Sequence, residues 1–287
     1  MSLVGNGIIG VRREDKNKWE RRVPLAPQHV RQLVDAGLRV LVQPSNRRIF
    51  PNAAYAEAGA EVVEDISAAS VILAVKEVPI DLLIPERTYV FFSHTIKAQA
   101  DNMPLLDALL ERNIRQIDYE CIREGGDRNR PRMVAFGRFA GIAGMIDYCR
   151  GLGERFLAMG YSTPFLAVGS TYMYLSVEHA KAAIRAVGEQ IAKYGLPEEL
   201  CPLTAVFTGR GNVSKGAQEI FELLPVRKVD PFELESVVAT ATGTDKTHVL
   251  YMAEATARHM VQRKGKAGGA AGGAGGAGGA AGAEPPA

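Results

Sequence analysis

Along this chain, short runs rich in β-branched and aromatic residues alternate with longer stretches whose apolar positions recur every three or four residues, the pattern of parallel βα units. Residues 8–11, 39–43, 71–75, 89–92 and 114–119 read as strands, and residues 26–36 and 102–112 as helices covering them. This predicts an α/β fold opening with a doubly wound parallel sheet. Residues 136–159 follow as a long, mostly apolar stretch, in which the small residues of Phe139-Ala-Gly-Ile-Ala-Gly-Met145 would let a helix approach a neighbouring backbone closely. Residues 176–194 are amphipathic, with Ser176 placed as an N-cap and Gly195-Leu-Pro197 as a stop. An apolar strand at 203–208 then runs into the turn Gly209-Arg-Gly-Asn-Val-Ser-Lys-Gly-Ala217, a helix ending near Leu224 and a strand at 226–229.

Beyond residue 229 the pattern weakens. Two strands are legible where a complete dinucleotide-binding domain has about six, so this part reads as the start of a Rossmann domain. Residues 265–287 are nearly all Gly and Ala, with nothing large and apolar to offset the entropy of ordering. The expected organisation is a substrate domain at 1–135, linking helices at 136–200, a partial Rossmann NAD(P)-binding domain at 201–264 and a disordered tail at 265–287.

Composition narrows the function classes. With 287 residues, 47% of them hydrophobic, the chain can bury a sizeable core. Its net charge of +2 arises from 34 basic and 32 acidic residues that are mixed along the chain. The absence of a basic tract argues against nucleic acid as a partner, and no apolar run approaches the roughly 20 residues of a membrane helix. The opening MSLVGNGIIGVRRED has neither the apolar core of a signal peptide nor the long basic helix of a transit peptide. Cys121, Cys149 and Cys201 lack metal-ligand spacing, which predicts no metal site and buried, inert thiols in a reducing compartment.

The candidate chemistry clusters at strand ends. In the glycine turn, Gly209 allows the tight bend, Gly211 lets backbone amides approach a pyrophosphate, and the next helix aims its positive end at that anion. Ser214 holds the usual third-glycine position, and Gly216 comes two residues late. About 20 residues on, the ribose-reading position falls among Arg227, Lys228 and Asp230. Asp230 would favour a free 2′-hydroxyl, while Arg227 or Lys228 would favour a 2′-phosphate. Two apolar strands deliver titratable residues at their carboxyl ends, Lys76-Glu77 and Ser93-His94-Thr-Ile-Lys97, where ligands of open α/β sheets bind. Lysine and histidine there are candidate acid/base groups. Arg22 is a candidate carboxylate clamp, as is Arg132, which is placed before another short strand. Asp118-Tyr-Glu120 adds acidic groups at a third strand end, whereas Arg47-Arg48 and the run 123–130 read as solvated loops.

In order along the chain, REDKNKWERRVPLAP, QPSNRR, AVKEVP, FFSHTIKAQ, IDYE, RMVAFGRFAGIAGM and FTGRGNVSKGAQEIF resemble the lysine-ketoglutarate reductase part of the bifunctional aminoadipic semialdehyde synthases. That family lies within the wider alanine dehydrogenase and transhydrogenase fold group, and the resemblance covers about residues 7–264. It implies reductive condensation of L-lysine with 2-oxoglutarate to saccharopine with NADPH, NADH being an alternative donor. It also implies a mitochondrial matrix location and leaves a homo-oligomer open. Lys76 and His94 match the family's acid/base pair, and Arg22 and Arg132 its substrate-binding arginines. Glu77, Lys97 and Glu120 would support them. Gly209, Gly211, Asn212, Val213, Ser214 and Gly216 match the cofactor turn, with Arg227 and Asp230 as ribose readers. The family chain continues past the point matching Lys264, so the cofactor domain is expected to be incomplete here, with an unpaired sheet edge. An alanine dehydrogenase-like enzyme using NAD and a non-catalytic binding module are the alternatives.

Overall fold

The computed structural model describes residues 5–261. The expected disordered tail at 265–287 lies outside them. The elements in chain order are β1 (Ile8–Val11), α1 (Pro27–Asp35), β2 (Arg39–Val42), α2 (Asn52–Glu57), β3 (Glu61–Val62), β4 (Val71–Leu73), β5 (Thr88–Phe91), α3 (Met103–Glu111), β6 (Arg115–Asp118), α4 (Gly137–Ala158), α5 (Val177–Tyr194), β7 (Thr204–Thr208), α6 (Asn212–Phe221), β8 (Val226–Lys228), α7 (Leu234–Thr240), α8 (Gly243–Thr247), β9 (Leu250–Ala255) and α9 (Ala257–Met260).

The first six strands form one parallel sheet in the order β3-β2-β1-β4-β5-β6. Successive β-strand side chains point to opposite faces, and both faces of this sheet are apolar. Val11, Val40 and Val42 pack with Val30 of α1 and Tyr55 of α2. On the other face Leu41, Ile72, Tyr89 and Phe91 pack with Leu105, Ala108 and Leu109 of α3. The α/β, doubly wound reading is borne out, although sequence periodicity missed the short β3 and α2.

The second sheet is parallel, in the order β7-β9-β8. It holds three strands where two were expected. The missed strand, β9, reads LYMAEA, a run of good helix formers without alternation. Its central place explains the pattern, since four of its six residues are buried in succession and the side chains of both faces are covered. The order also departs from the Rossmann arrangement, in which the second strand lies beside the first. Here β9 separates β7 from β8. No strand follows Arg132 either; that residue makes an isolated bridge to Arg123, and the chain turns into α4.

Helices α4 and α5 cover this sheet. Ile142, Ile146, Cys149 and Phe156 of α4 join Ile184, Val187 and Ile191 of α5, Phe207 of β7, Ile220 and Phe221 of α6, and Leu250 and Met252 of β9 in one core. Ser176 caps α5, its Oγ accepting from the His179 amide at 3.1 Å. Of the cysteines, only Cys149 is fully buried; Cys201 is intermediate, and Cys121 is exposed in a loop beyond β6, so the expectation of buried thiols holds for one of three. Arg48, read as solvated, is buried instead. Its guanidinium donates to the carbonyls of Gln43 and Phe50 and to Asn52 Oδ1, and it lies 4.3 Å from the Tyr55 ring centroid.

Helices α4 and α6 cross with their backbones in contact. A Cβ on Gly141 would sit 1.9 Å from the Val213 carbonyl oxygen, and one on Gly216 would sit 2.0 Å from that of Arg138. The helix-approach role read for the small residues of α4 is thus carried by Gly141, with Gly216 as its counterpart on α6. Gly144, on the same helix, has nothing within 4 Å of its would-be Cβ. Gly141→Ala should therefore destabilise the protein by roughly 3 kcal/mol, the upper range for overpacking. Gly144→Ala should be neutral or stabilising by up to about 1 kcal/mol. Urea denaturation of the two variants measures the difference, and equal stabilities would contradict the close crossing.

Candidate active site

Strand order in the first sheet reverses between β1 and β4, and open α/β sheets bind ligands outside the carboxyl ends at such a switch point. Glu14, just past β1, spans it. Its Oε1 accepts from the Val75 amide at 2.7 Å and its Oε2 from the Lys76 amide at 2.9 Å. Burial pushes the Glu14 carboxyl up, with these two amides opposing. The backbone that carries Lys76 is thereby tied to the end of β1. Sequence reading passed over Glu14, since an acidic residue three places beyond a strand has no distinguishing pattern.

Beyond β5, Ser93 is fully buried and donates to Asp118 Oδ2 at 2.7 Å, and the His94 amide donates to the same oxygen at 3.2 Å. Asp118 Oδ1 accepts from the Glu120 amide at 2.8 Å. One buried carboxylate therefore fixes the ends of two neighbouring strands. His94 has φ of 56°, a left-handed conformation uncommon for a residue with a side chain. The Asp118 contact holds it there.

Glu120 gathers the charged groups. Its Oε1 accepts from Arg132 Nη1 at 2.7 Å, while its Oε2 lies 3.0 Å from His94 Nδ1 and 3.2 Å from Lys97 Nζ. Burial alone would raise this carboxyl, but hydrogen bonds from His94 and Lys97, with their charges, hold it below the ordinary carboxylate range. Nδ1 of His94 lies between the Glu120 carboxylate and, at 3.1 Å, Lys97 Nζ, and Nε2 is left free of both.

Arg22 is oriented by Glu20, whose Oε1 accepts from Nε at 2.8 Å and Oε2 from Nη2 at 2.7 Å. Burial opposes ionisation of Glu20, yet the Arg22 hydrogen bonds keep its carboxyl below the usual range. Among the described residues, Nη1 of Arg22, Nη2 of Arg132 and the Lys76 ammonium have no hydrogen-bond partner. Glu77 stands behind, paired with Lys16.

A cavity of about 550 Å³ joins these groups to the glycine turn. Arg22, Lys76, His94, Glu120, Arg132 and Phe136 line one side, and Thr208 with Gly211, Asn212, Val213 and Ser214 lines the other. Residues distant in sequence therefore face one space. Gly209, at φ of 78°, makes the bend without lining the cavity, and Gly216 serves the helix crossing. Arg227 is elsewhere, with Nη2 donating to Asp245 Oδ1 at 2.8 Å and its guanidinium near the Tyr251 ring. Asp230 lines a separate, smaller cavity.

The turn fits a pyrophosphate on two observations. Helix α6 has Gly211 as N-cap and no side-chain cap, so its first amides are left for an anion. A Cβ on Gly211 would meet nothing within 4 Å, so its lack of a side chain leaves room in the cavity rather than relieving a protein clash.

A group whose folded pKa is depressed contributes stability that is complete above the unfolded value, about 4.3 for Glu, and lost as pH falls through the folded value. Glu120 should follow this course. Glu120→Gln should lower the melting temperature at neutral pH and flatten its decline below about pH 4.3. Parallel acid slopes for the two proteins would contradict a charge-held Glu120.

Residues 10–143 match the family described as alanine dehydrogenase/PNT, N-terminal domain. An alpha-aminoadipic semialdehyde synthase of Arabidopsis thaliana is 46% identical over 274 residues, 91% of this chain and 26% of that protein. The corresponding protein of Bos taurus, named as mitochondrial, is 50% identical over 235 residues, 82% of this chain and 25% of its own length. An L-alanine dehydrogenase structure superposes with a TM-score of 0.52 at 23% identity, covering 86% of this chain and 60% of that one, a likeness of fold. The chain thus spans about a quarter of the length of these synthases. It is a homologue of the alpha-aminoadipic semialdehyde synthases over most of its length, with an alanine dehydrogenase/PNT N-terminal domain at residues 10–143.

Proposed function

We propose that the chain carries the lysine-ketoglutarate reductase chemistry of that family, the NADPH-dependent condensation of L-lysine with 2-oxoglutarate to saccharopine. The observation that carries the reading is the single cavity in which Lys76 and His94 face the glycine turn. In this reading residues 1–135 bind substrate, residues 136–200 link, and residues 201–264 begin the nucleotide-binding domain. The word mitochondrial in the bovine relative's name supports a matrix location. Among the described residues no helix is long and apolar enough to cross a membrane.

The reaction joins an amine to a keto carbon, loses water and reduces the resulting imine. The free N–H groups of Arg22 and Arg132 would bind substrate carboxylates, since planar guanidinium donors match them. Arg22 is held in place for this by Glu20, and Arg132 by Glu120. Lys76 and His94 would move the protons: one accepts from the attacking amine, and the other donates to the departing hydroxyl as water leaves. Glu120 engages the imidazole through Nδ1, which would leave Nε2 for the reacting centre. When bound, the nicotinamide would supply the hydride, its pyrophosphate held by the amides of residues 211–214. A second reading, oxidation of alanine with NAD, is favoured by the family matched at residues 10–143. The substrate pair required for turnover separates the two.

In an assay of the purified protein, NADPH oxidation should require lysine and 2-oxoglutarate together. Lys76→Met and His94→Gln should each lower kcat by about 10²–10⁴-fold, the usual contribution of a general acid or base. Turnover with alanine and NAD alone, or full activity in either variant, would overturn the assignment.

A further inference from the structure

Beyond the carboxyl ends of β1, β2 and β3 lies another cavity, of about 530 Å³, that shares no lining residue with the site of Lys76 and His94. Arg13 and Asp15 line it from the end of β1, Ser45, Asn46 and Arg47 from that of β2, and Glu64 from that of β3. The loop that carries Arg47 is held in shape from beneath. Buried Arg48 donates to the Gln43 carbonyl at 3.0 Å and to Asn52 Oδ1 at 2.7 Å, and the Ser45 amide donates to the same Asn52 oxygen at 3.0 Å. Ser45 Oγ in turn accepts from the amides of Arg47 and Arg48. Gln43 ties the three strand ends together, its Oε1 accepting from the Arg13 amide at 3.2 Å and its Nε2 donating to the Glu64 carbonyl at 3.0 Å.

The lining carries two guanidiniums, Arg13 and Arg47, and two carboxylates, Asp15 and Glu64, so its charges cancel. They nevertheless keep unused capacity. Arg13 donates to Glu64 through Nη1, at 2.8 and 2.9 Å, and Arg47 donates to the Asn17 carbonyl through Nη1 at 2.9 Å; Nη2 of each has no partner among the described residues. Asp15 accepts from Arg12 on Oδ2 at 2.7 Å, while its Oδ1 stands 3.9 Å from Arg13 Nε, beyond hydrogen-bond range. A simple anion in this cavity would meet two carboxylates, and a simple cation two guanidiniums. A ligand that carries both charges on neighbouring atoms meets a complement for each: its carboxylate matches the free guanidinium N–H groups, and its ammonium the acidic oxygens. Apart from Pro44 the lining is polar, which suits an uncharged polar side chain.

The segment after β1 belongs to both cavities. Arg13 and Asp15 line this one, whereas Glu14 between them accepts from the amides of Val75 and Lys76 on the other side. A narrow void lies where Arg13 and Ser45 meet Glu14 and Arg22. Ordering Arg13 and Asp15 around a ligand therefore restricts the backbone of Glu14, and with it the strand end that bears Lys76. We infer that this cavity binds a free α-amino acid by its ammonium and carboxylate groups, and that occupancy is transmitted to Lys76 through Glu14. The site stands apart from the reductase reading and does not depend on it.

Calorimetric titration of the whole chain with L-glutamine, L-glutaminamide and glutaramate tests the binding, since the second probe lacks the carboxylate and the third the ammonium. L-Glutamine should bind at least tenfold more tightly than either. Arg47→Ala and Glu64→Gln should each weaken it about tenfold, whereas Arg132→Ala, in the other cavity, should leave it unchanged. Melting curves verify that each variant is folded. Hydrogen exchange at the Val75 and Lys76 amides should slow when L-glutamine is bound. Glutaramate binding as well as L-glutamine would reduce the site to an anion site and overturn the inference, as would no binding, or affinity that survives both Arg47→Ala and Glu64→Gln. Loss of affinity in Arg132→Ala would place the amino acid in the other cavity and overturn it as well. Tight binding with unchanged exchange at Val75 and Lys76 would overturn the transmission through Glu14.

Discussion

The crossing of α4 and α6 sets the width of the candidate site. Helix α4 begins directly after Phe136, and α6 begins directly after Gly211 of the glycine turn. Gly141 and Gly216 allow the two backbones to touch, and at the leading ends a Cβ on Gly137 would stand 3.0 Å from that of Asn212. The segment that carries Arg132 and Phe136 therefore enters the cavity beside the first turn of α6. A methyl group at the crossing would part the helices, because the atoms it meets are backbone and cannot rotate away. Packing far from any reacting atom thus fixes the span between the acid/base candidates and the anion-binding amides.

Within that span, the charged groups are held by other charges rather than by packing. Glu120 binds His94, Lys97 and Arg132 together, and Glu20 binds Arg22. Each arginine has a carboxylate fixing one part of its guanidinium while another part is free. A bare arginine at half exposure would sample many rotamers, and ordering it would oppose ligand binding. Pairing it beforehand moves that ordering into folding. Lys76 is handled differently. Its ammonium has no partner among the described residues, and only its backbone is fixed, by Glu14.

The first sheet was legible because its strands are buried on both faces and bounded by polar strand ends, so hydrophobic runs and candidate residues stand out together. Lys76, His94 and Glu120 could be singled out on that basis, whereas Arg22 was read from the loop after β1 and Arg132 from a strand that does not form; the sequence does not show that they share a cavity with residues 211–214. What failed had specific causes. LYMAEA lacks alternation because it is a central strand, and Arg48 looks solvated because its hydrogen bonds go to backbone carbonyls and an asparagine rather than to an acid. That Lys228 and Asp230 line the smaller cavity while Arg227 does not depended on the course of β8, which is set by its pairing with β9, a strand the pattern did not reveal.

Glu14 and Glu120 illustrate how two carboxylates at neighbouring strand ends acquire opposite acid behaviour. Both lose hydration. Glu14 recovers only two neutral amide hydrogen bonds, so burial prevails and its pKa rises. Glu120 recovers charged donors, which outweigh the burial, and its pKa falls. The linkage signs follow. The stability contribution of Glu14 is complete below its unfolded pKa and declines as pH rises through the folded value, while that of Glu120 is complete above its unfolded pKa and declines as pH falls. The two carboxylates therefore oppose one another across the acid range. The two amides that tie the lysine-bearing strand end favour an ionised Glu14 while burial opposes it, and the histidine side depends on Glu120 being ionised. Both candidate acid/base residues are held by carboxylates, Lys76 through its backbone amide and His94 through its ring.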